Sequence, residues 1–230
     1  MENTIPTFWR MIWETNASVI VVLGDTDDKN NFWPEKEDYQ LHPAVILGEW
    51  YTDSLYVRTD KVHPNTSGVE GLFEVSMVIH SYDDDVTEQL SLFHYSTWPQ
   101  NGVPQSPVHV GHLFHHSLAA RTRGPLVIVS AHGGGRAGCY GVVSVAYELL
   151  NMPDTPQSFD ADPNIIDSVF RGLLGQRPGL VANQRQFDFC HRILEECLWG
   201  VASKGLGGTE EKGKGTGRLF NIFKKKKRTS

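Results

Sequence analysis

The chain has 230 residues, 40% hydrophobic and 21% charged, which suits one globular domain with a sizeable core and argues against a disordered chain. Its formal charge of −6 is uneven: residues 203–230 hold nine Lys/Arg against two Glu, leaving 12 Lys/Arg against 25 Asp/Glu in residues 1–202, an acidic balance that argues against a nucleic-acid partner. No run approaches the roughly 20 apolar residues of a membrane span, Glu2 stands where a secretory leader would be basic, and three scattered cysteines fit neither a disulfide framework nor a zinc site, so a reducing, cytoplasmic setting without metal or cofactor is expected.

Thr7 to Asn16 places Phe8, Trp9, Ile12 and Trp13 at helical spacing, and Val19 to Leu23 is a continuous apolar run closed by Gly24 and Asp25, so a helix leads into a buried strand. From Asp25 to Asp60 the chain is polar and aromatic, punctuated by Pro34, Pro43 and Gly48, which reads as loops and short strands without a definable register. Segments 72–79 and 86–95 read as the two arms of a hairpin around the acidic turn Ser81 to Asp85. A helix is expected from 108 to about 120, and Leu126 to Val129 is a short strand apolar on both faces, expected to be buried and central in its sheet. That strand runs directly into Ser130, Ala131, His132, Gly133, Gly134, Gly135 and Arg136, after which Val142, Val143, Ala146, Leu149 and Leu150 recur at helical spacing. A further helix starts near Asp162 and Pro163 and is ended by Arg177, Pro178 and Gly179; the last carries Phe187, Cys190, Ile193, Leu194, Cys197 and Leu198. Beyond Gly200 the Gly, Lys and Thr content predicts a disordered tail, giving a domain over 1–202 and a basic tail over 203–230.

The unit of strand, glycine-rich loop and helix has a chemical meaning. Several backbone N–H groups gather at a helix N-terminus, where the macrodipole adds partial positive charge, so the loop suits an oxyanion. Arg136 adds a planar guanidinium able to hold two phosphate oxygens. A plain turn is the alternative for the glycines alone, and the Gly-Lys-Ser/Thr ending of a nucleotide loop is absent.

On these residues the chain resembles the protein tyrosine phosphatases, which carry His-Cys, five residues, Arg and Ser/Thr-Gly between strand and helix. Here Val129 and Ser130 stand for His-Cys, Arg136 is retained, and Ala137 and Gly138 follow. A second family motif, Trp-Pro-Asp-X-Gly-Val-Pro, is matched by Trp98, Pro99, Gln100, Asn101, Gly102, Val103 and Pro104. A third is matched from Arg177 to Val181, with Ala182 and Gln186 at the family's two glutamines, and the stretch from Asn3 to Leu23 is similar to the family's first matched helix and strand. The resemblance covers residues 3–199 and implies an α/β fold, a twisted mixed sheet flanked by helices. The family's N-terminal helices and its Lys-Asn-Arg-Tyr loop, whose tyrosine walls the phosphotyrosine ring, would lie before Met1, which leads us to expect an open sheet edge.

What the resemblance implies about chemistry turns on the substitutions. The family's cysteine thiolate attacks phosphorus; Ser130 holds that position, and a serine hydroxyl titrates too high for the loop to ionise it. Gln100 replaces the aspartic general acid, a loss of typically ~10²–10⁴-fold. Ala137 replaces the hydroxyl that supports the leaving thiolate, and Ala182 the glutamine that positions the hydrolytic water. His132 reads either as a substitute base or as a solvent-facing loop residue. The expected phosphate-binding set is therefore Ser130 to Arg136, with Trp98 and Gln186 as further pocket residues and no intact catalytic group. Three functions remain open: an inactive domain that binds a phosphotyrosine protein or peptide, a scaffold acting through its surface, and an active phosphatase of unusual chemistry. The basic stretch from Arg218 to Arg228, including Lys224 to Lys227, is compatible with an anionic membrane surface, nuclear import, or a merely solvated end.

Overall fold

In a computed structural model, residues 5–24, 33, 55–151 and 164–200 are described. The expected tail over 203–230, Asn3 and Thr4, most of the loop-rich stretch 25–54 and the helix start at Asp162 and Pro163 lie outside them. The described residues group into two bodies, one running to Gln100 with His116–Ala131 added, the other formed by Asn101–His115 and the residues from His132 on.

The first body is built on a mixed sheet. Helix α1 (Ile5–Glu14) is followed by β1 (Val19–Leu23), β2 (Leu55–His63), a single 3-10 turn (Thr66–Gly68), β3 (Leu72–Ser81) and β4 (Val86–Tyr95). After α2 (Pro107–Ala120), which is divided between the bodies at His115 and His116, comes β5 (Leu126–Ser130). The strand order is β2-β3-β4-β1-β5, antiparallel from β2 to β4 and parallel from β4 through β1 to β5. The hairpin of β3 and β4 is in place and longer than the apolar pattern indicates, pairing Leu72 with Tyr95 and Ser81 with Val86.

The α/β expectation, a mixed sheet with helices, holds. One assignment within it does not. β5 is not the central strand: among the described residues it pairs only with β1, and all five of its residues are partly exposed. Side-chain hydropathy reports what covers a strand's faces and is silent about its hydrogen-bonding edge; the fully buried strand is β1, which lies between β4 and β5. β2 escapes the hydropathy pattern for a related reason. Its Arg58, Asp60 and Lys61 break the apolar run, yet Val57 and Thr59 point inward, and a register irregularity between Thr59 and Lys61 disturbs the alternation.

One face of the sheet packs on α1: Trp9 and Ile12 join Ile20, Val22, Val57, Val75, Met77, Ile79, Leu90 and Leu92 in a single buried cluster, with Phe8, Met11, Val127 and Val129 against it. That packing fixes β5 from one side, and Ser18 fixes its approach. The buried Ser18 hydroxyl accepts from the N–H groups of Thr122 and Arg123 and donates to the Arg123 carbonyl, while the Arg123 guanidinium bonds Asn16, the Gln89 carbonyl and Glu88.

The second body holds α3 (Gly135–Asn151), α4 (Ile165–Leu174) and α5 (Gln184–Trp199). α4 stops at Leu174, three residues before Arg177; Gly175 caps it and Arg177 has another task. Cys139, Cys190 and Cys197 are all buried free thiols. No helix among the described residues is long and apolar enough to cross a membrane.

Candidate functional site

In the first body, Leu23 of β1 lies in register with Tyr95 of β4 on one side and Ser130 of β5 on the other. Three parallel strands therefore end at one level, and the carboxyl edge of such a sheet is where α/β proteins bind ligands. Trp98, Pro99 and Gln100 leave this edge three residues after Tyr95; Ser130 and Ala131 leave it at the end of β5. With β1 between them, the two chains depart about 10 Å apart at ordinary strand spacing. Trp98 is 1% exposed and anchors its motif, whereas Gln100 and Ala131 are exposed and Ser130 is partly so.

In the second body, the loop from His132 to Arg136 closes against the segment that follows α4. Gly133 has φ 63°, a left-handed conformation that costs a glycine little, and a side chain there would meet the Arg177 guanidinium. Arg177 donates from Nε to the Gly133 carbonyl at 2.9 Å and from Nη2 to the His132 carbonyl at 3.2 Å. The Gly134 carbonyl accepts from Gly138 at 2.7 Å, opening α3, and from the Val181 N–H at 3.3 Å. A Cβ on Gly134 would stand 2.8 Å from the Gly179 carbonyl oxygen, and one on Gly138 2.7 Å from the Val181 nitrogen, so backbone packs directly on backbone. Arg136, in the first turn of α3, is 7% exposed, and His132 is exposed.

Gln186 and its neighbour Asn183 link this loop to Asn101 and Gly102. Gln186 is fully buried; its Oε1 accepts from the Ala182 N–H and its Nε2 donates to the Gly102 carbonyl, each at 3.0 Å. Asn183 caps α5 by accepting from the Gln186 N–H, and its Nδ2 donates to the Asn101 carbonyl. Both ends of the Gln186 amide are thus committed to main chain, with Gly135 packed beside it.

The structure thus brings Gly133, Gly134, Gly135 and Gln186 together with Arg177, Gly179, Val181 and Ala182, while Trp98, Gln100, Ser130 and Ala131 belong to the first body. Arg177 and Asn183 are the residues that sequence reasoning misses. In the sequence Arg177 is marked as a helix stop and as the first residue of the third motif, with no task assigned to it. Asn183 has a legible signal, an N-cap type residue three before a glutamine at a helix start. No group of three or more His, Cys, Asp or Glu among the described residues could hold a metal ion.

The N-terminus of α3, the glycine N–H groups and Arg136 form an arrangement suited to an oxyanion. Comparison with known proteins finds relatives along most of the chain. The chain is 26% identical over 88% of its length to Tyrosine-protein phosphatase 2 of Dictyostelium discoideum, covering 51% of that protein. It is 25% identical over 92% of its length to Tyrosine-protein phosphatase 3 of the same organism, covering 21% of it. Against the Receptor-type tyrosine-protein phosphatase R of Homo sapiens it is 25% identical over 86% of its length, covering 27% of it. The chain therefore spans about half or less of the length of these relatives. The Protein-tyrosine phosphatase family model matches residues 1–196, and the chain belongs to that family.

Proposed function

We propose that this chain is a tyrosine phosphatase domain that binds phosphotyrosine without turning it over. The reading rests on Ser130, which stands at the end of β5 where the family motif has its nucleophile, followed in sequence by the glycines that lead into α3 and by Arg136. A serine hydroxyl stays protonated at neutral pH and cannot open the P–O bond as a thiolate does. Gln100 has no acidic proton for the leaving oxygen, so expulsion of a tyrosinate is unassisted. Gln186 is fully buried and each end of its amide already bonds main chain, so it is not counted as a replacement for the water-positioning group lost at Ala182.

The binding half of the chemistry has kept its parts. Backbone N–H groups at the start of a 17-residue helix and the Arg136 guanidinium favour a dianion. A neutral Ser130 also removes the charge that would repel a phosphate. Capture without release would shield a phosphotyrosine from other enzymes. Calorimetric titration of the chain with a phosphotyrosine peptide and its unphosphorylated twin, repeated on Arg136→Ala, tests this. Phosphate-dependent binding lost with Arg136 supports the reading; equal heats from both peptides would refute it.

A further inference from the structure

Outside the phosphate loop, the second body has a cavity of about 450 Å³ beside α5. Its walls come from one stripe of that helix, Arg185, Asp188, Phe189 and Arg192, facing Val103 and Pro104. The spacing of i, i+3, i+4 and i+7 puts the four side chains on one helix face. Phe189 and Pro104 are buried and make an apolar floor, while Arg185, Asp188 and Arg192 stand exposed at the rim. The Arg192 guanidinium lies 5.4 Å from the Phe189 ring centroid, and Asp188 accepts from Gln184 at 2.8 Å. Neither Arg185 nor Arg192 forms an ion pair among the described residues.

We propose that this cavity docks an extended acidic segment of a partner protein with the pattern acidic-x-apolar-x-acidic. Seven helical residues separate the two arginines by about 10.5 Å. In an extended chain, side chains four apart lie on one side about 13 Å from each other, a difference that long arginines absorb. The two outer acids meet Arg185 and Arg192, where a guanidinium can hold a carboxylate through two hydrogen bonds. The middle side chain falls between them onto Phe189, Val103 and Pro104. Asp188 sets the register: it repels a third acid at the centre and accepts from a peptide N–H. Residues 1–202 carry 25 Asp/Glu against 12 Lys/Arg, so outside this stripe that part of the chain repels such a segment, and the scrambled peptide accounts for attraction to the basic residues after 202. The site is separate from phosphate recognition and does not depend on it.

The test is fluorescence anisotropy of the full chain with a labelled peptide whose core is Glu-Ser-Leu-Ser-Glu, unphosphorylated, beside a scrambled peptide of the same composition. We expect the patterned peptide to bind at least tenfold tighter than the scrambled one. Arg185→Glu and Arg192→Glu should each weaken it tenfold or more, with the fold kept because both side chains are exposed and only Arg192 gives up a contact, with the Phe189 ring. Arg136→Ala should leave it unaffected. No binding to the unaltered chain, equal affinity for the scrambled peptide, or full affinity in the doubly reversed variant would overturn the proposal. So would a loss of binding in Arg136→Ala, which would place the peptide on the phosphate loop instead.

Discussion

Arg177 holds Gly133 from 44 residues away, donating to its carbonyl at 2.9 Å while a second nitrogen takes the carbonyl of His132. In a planar trans peptide the carbonyl and the next N–H point in opposite directions. Fixing these two carbonyls toward Arg177 therefore aims the N–H groups of Gly133 and Gly134 the other way, toward where an oxyanion would sit. Hydrogen bonds to a charged donor are worth about 1.5–3 kcal/mol, less at an exposed site such as this. Arg177→Ala should lower affinity for a phosphotyrosine peptide about tenfold with little change in melting temperature. Arg177→Lys should keep part of it. Unchanged affinity in calorimetry would show that the loop holds its shape unaided.

The loop glycines allow a contrasting pair of substitutions. Gly134→Ala would press a methyl against the Gly179 carbonyl oxygen, a main-chain atom that cannot swing away. Gly172, in α4, has an ordinary helical backbone, and a methyl added to it would meet nothing within 4 Å. Gly172→Ala should stabilise the chain by about 0.5–1 kcal/mol through helix propensity. Gly134→Ala should destabilise it by about 1–3 kcal/mol, the range for overpacking. Urea titration of both variants checks the contrast, and equal stabilities would contradict the close backbone approach.

The sequence displays some of this architecture and hides the rest for definite reasons. Val19 to Leu23 and the Leu72–Tyr95 hairpin announce themselves because burial on one or both faces writes directly into hydropathy. The edge position of β5 among the described strands is illegible because its residues encode their face contacts and not their pairing. Ser130, Gln100 and Arg136 can be placed from motif spacing alone. The roles of Arg177, Asn183 and Gln186 cannot, since each acts on main-chain atoms whose positions are set only when distant segments meet.

Gln186 bonds two backbone groups from full burial, so its removal is costly in a way that its chemistry alone would not suggest. Gln186→Leu leaves the Ala182 N–H and the Gly102 carbonyl without this partner; each such loss costs about 1–3 kcal/mol. We expect a total loss of about 2–5 kcal/mol in a urea titration, the sum of two such losses with partial relief by relaxation. Gln186→Glu should be at least as harmful, because a carboxylate oxygen would face the Gly102 carbonyl. A loss below about 1 kcal/mol, less than one unsatisfied group costs, would mean that water takes over both bonds.

Stability should fall on the alkaline side. The Cys139 thiol is pushed up by its hydrogen bond with Cys190 and by burial, and the Cys197 thiol by burial and the nearby Glu196 charge. Burial likewise raises Tyr95, offset in part by Thr97, and Tyr147, with a further contribution from Cys197. Unfolded thiols titrate near 9.0 and phenols near 10.0, so as pH rises the unfolded chain gives up these protons first and is favoured. The contribution of these groups is complete below about pH 8 and declines progressively above the unfolded values. Urea titrations from about pH 7.5 to 10.5 should show this decline, and the three thiols should resist alkylation at about pH 8 until the chain unfolds.

Restoring the lost groups separates chemistry from architecture. On the proposed reading, Ser130→Cys supplies the thiol that the family carries at this position of the motif. Alone, it should give slow hydrolysis of an aryl phosphate with a good leaving group and next to none of phosphotyrosine, whose poor leaving oxygen needs a proton. Adding Gln100→Asp should raise phosphotyrosine hydrolysis by about 10²–10⁴-fold while changing the activated substrate far less. The water-positioning loss at Ala182 would remain, so a burst of product followed by a slow phase is expected in the double variant. Steady hydrolysis by the unaltered chain, unaffected by Ser130→Ala, would place its chemistry elsewhere and remove the premise. A double variant that stays inactive while still binding phosphotyrosine would locate the defect in how the two strand ends present residues 100 and 130, rather than in the identity of those residues.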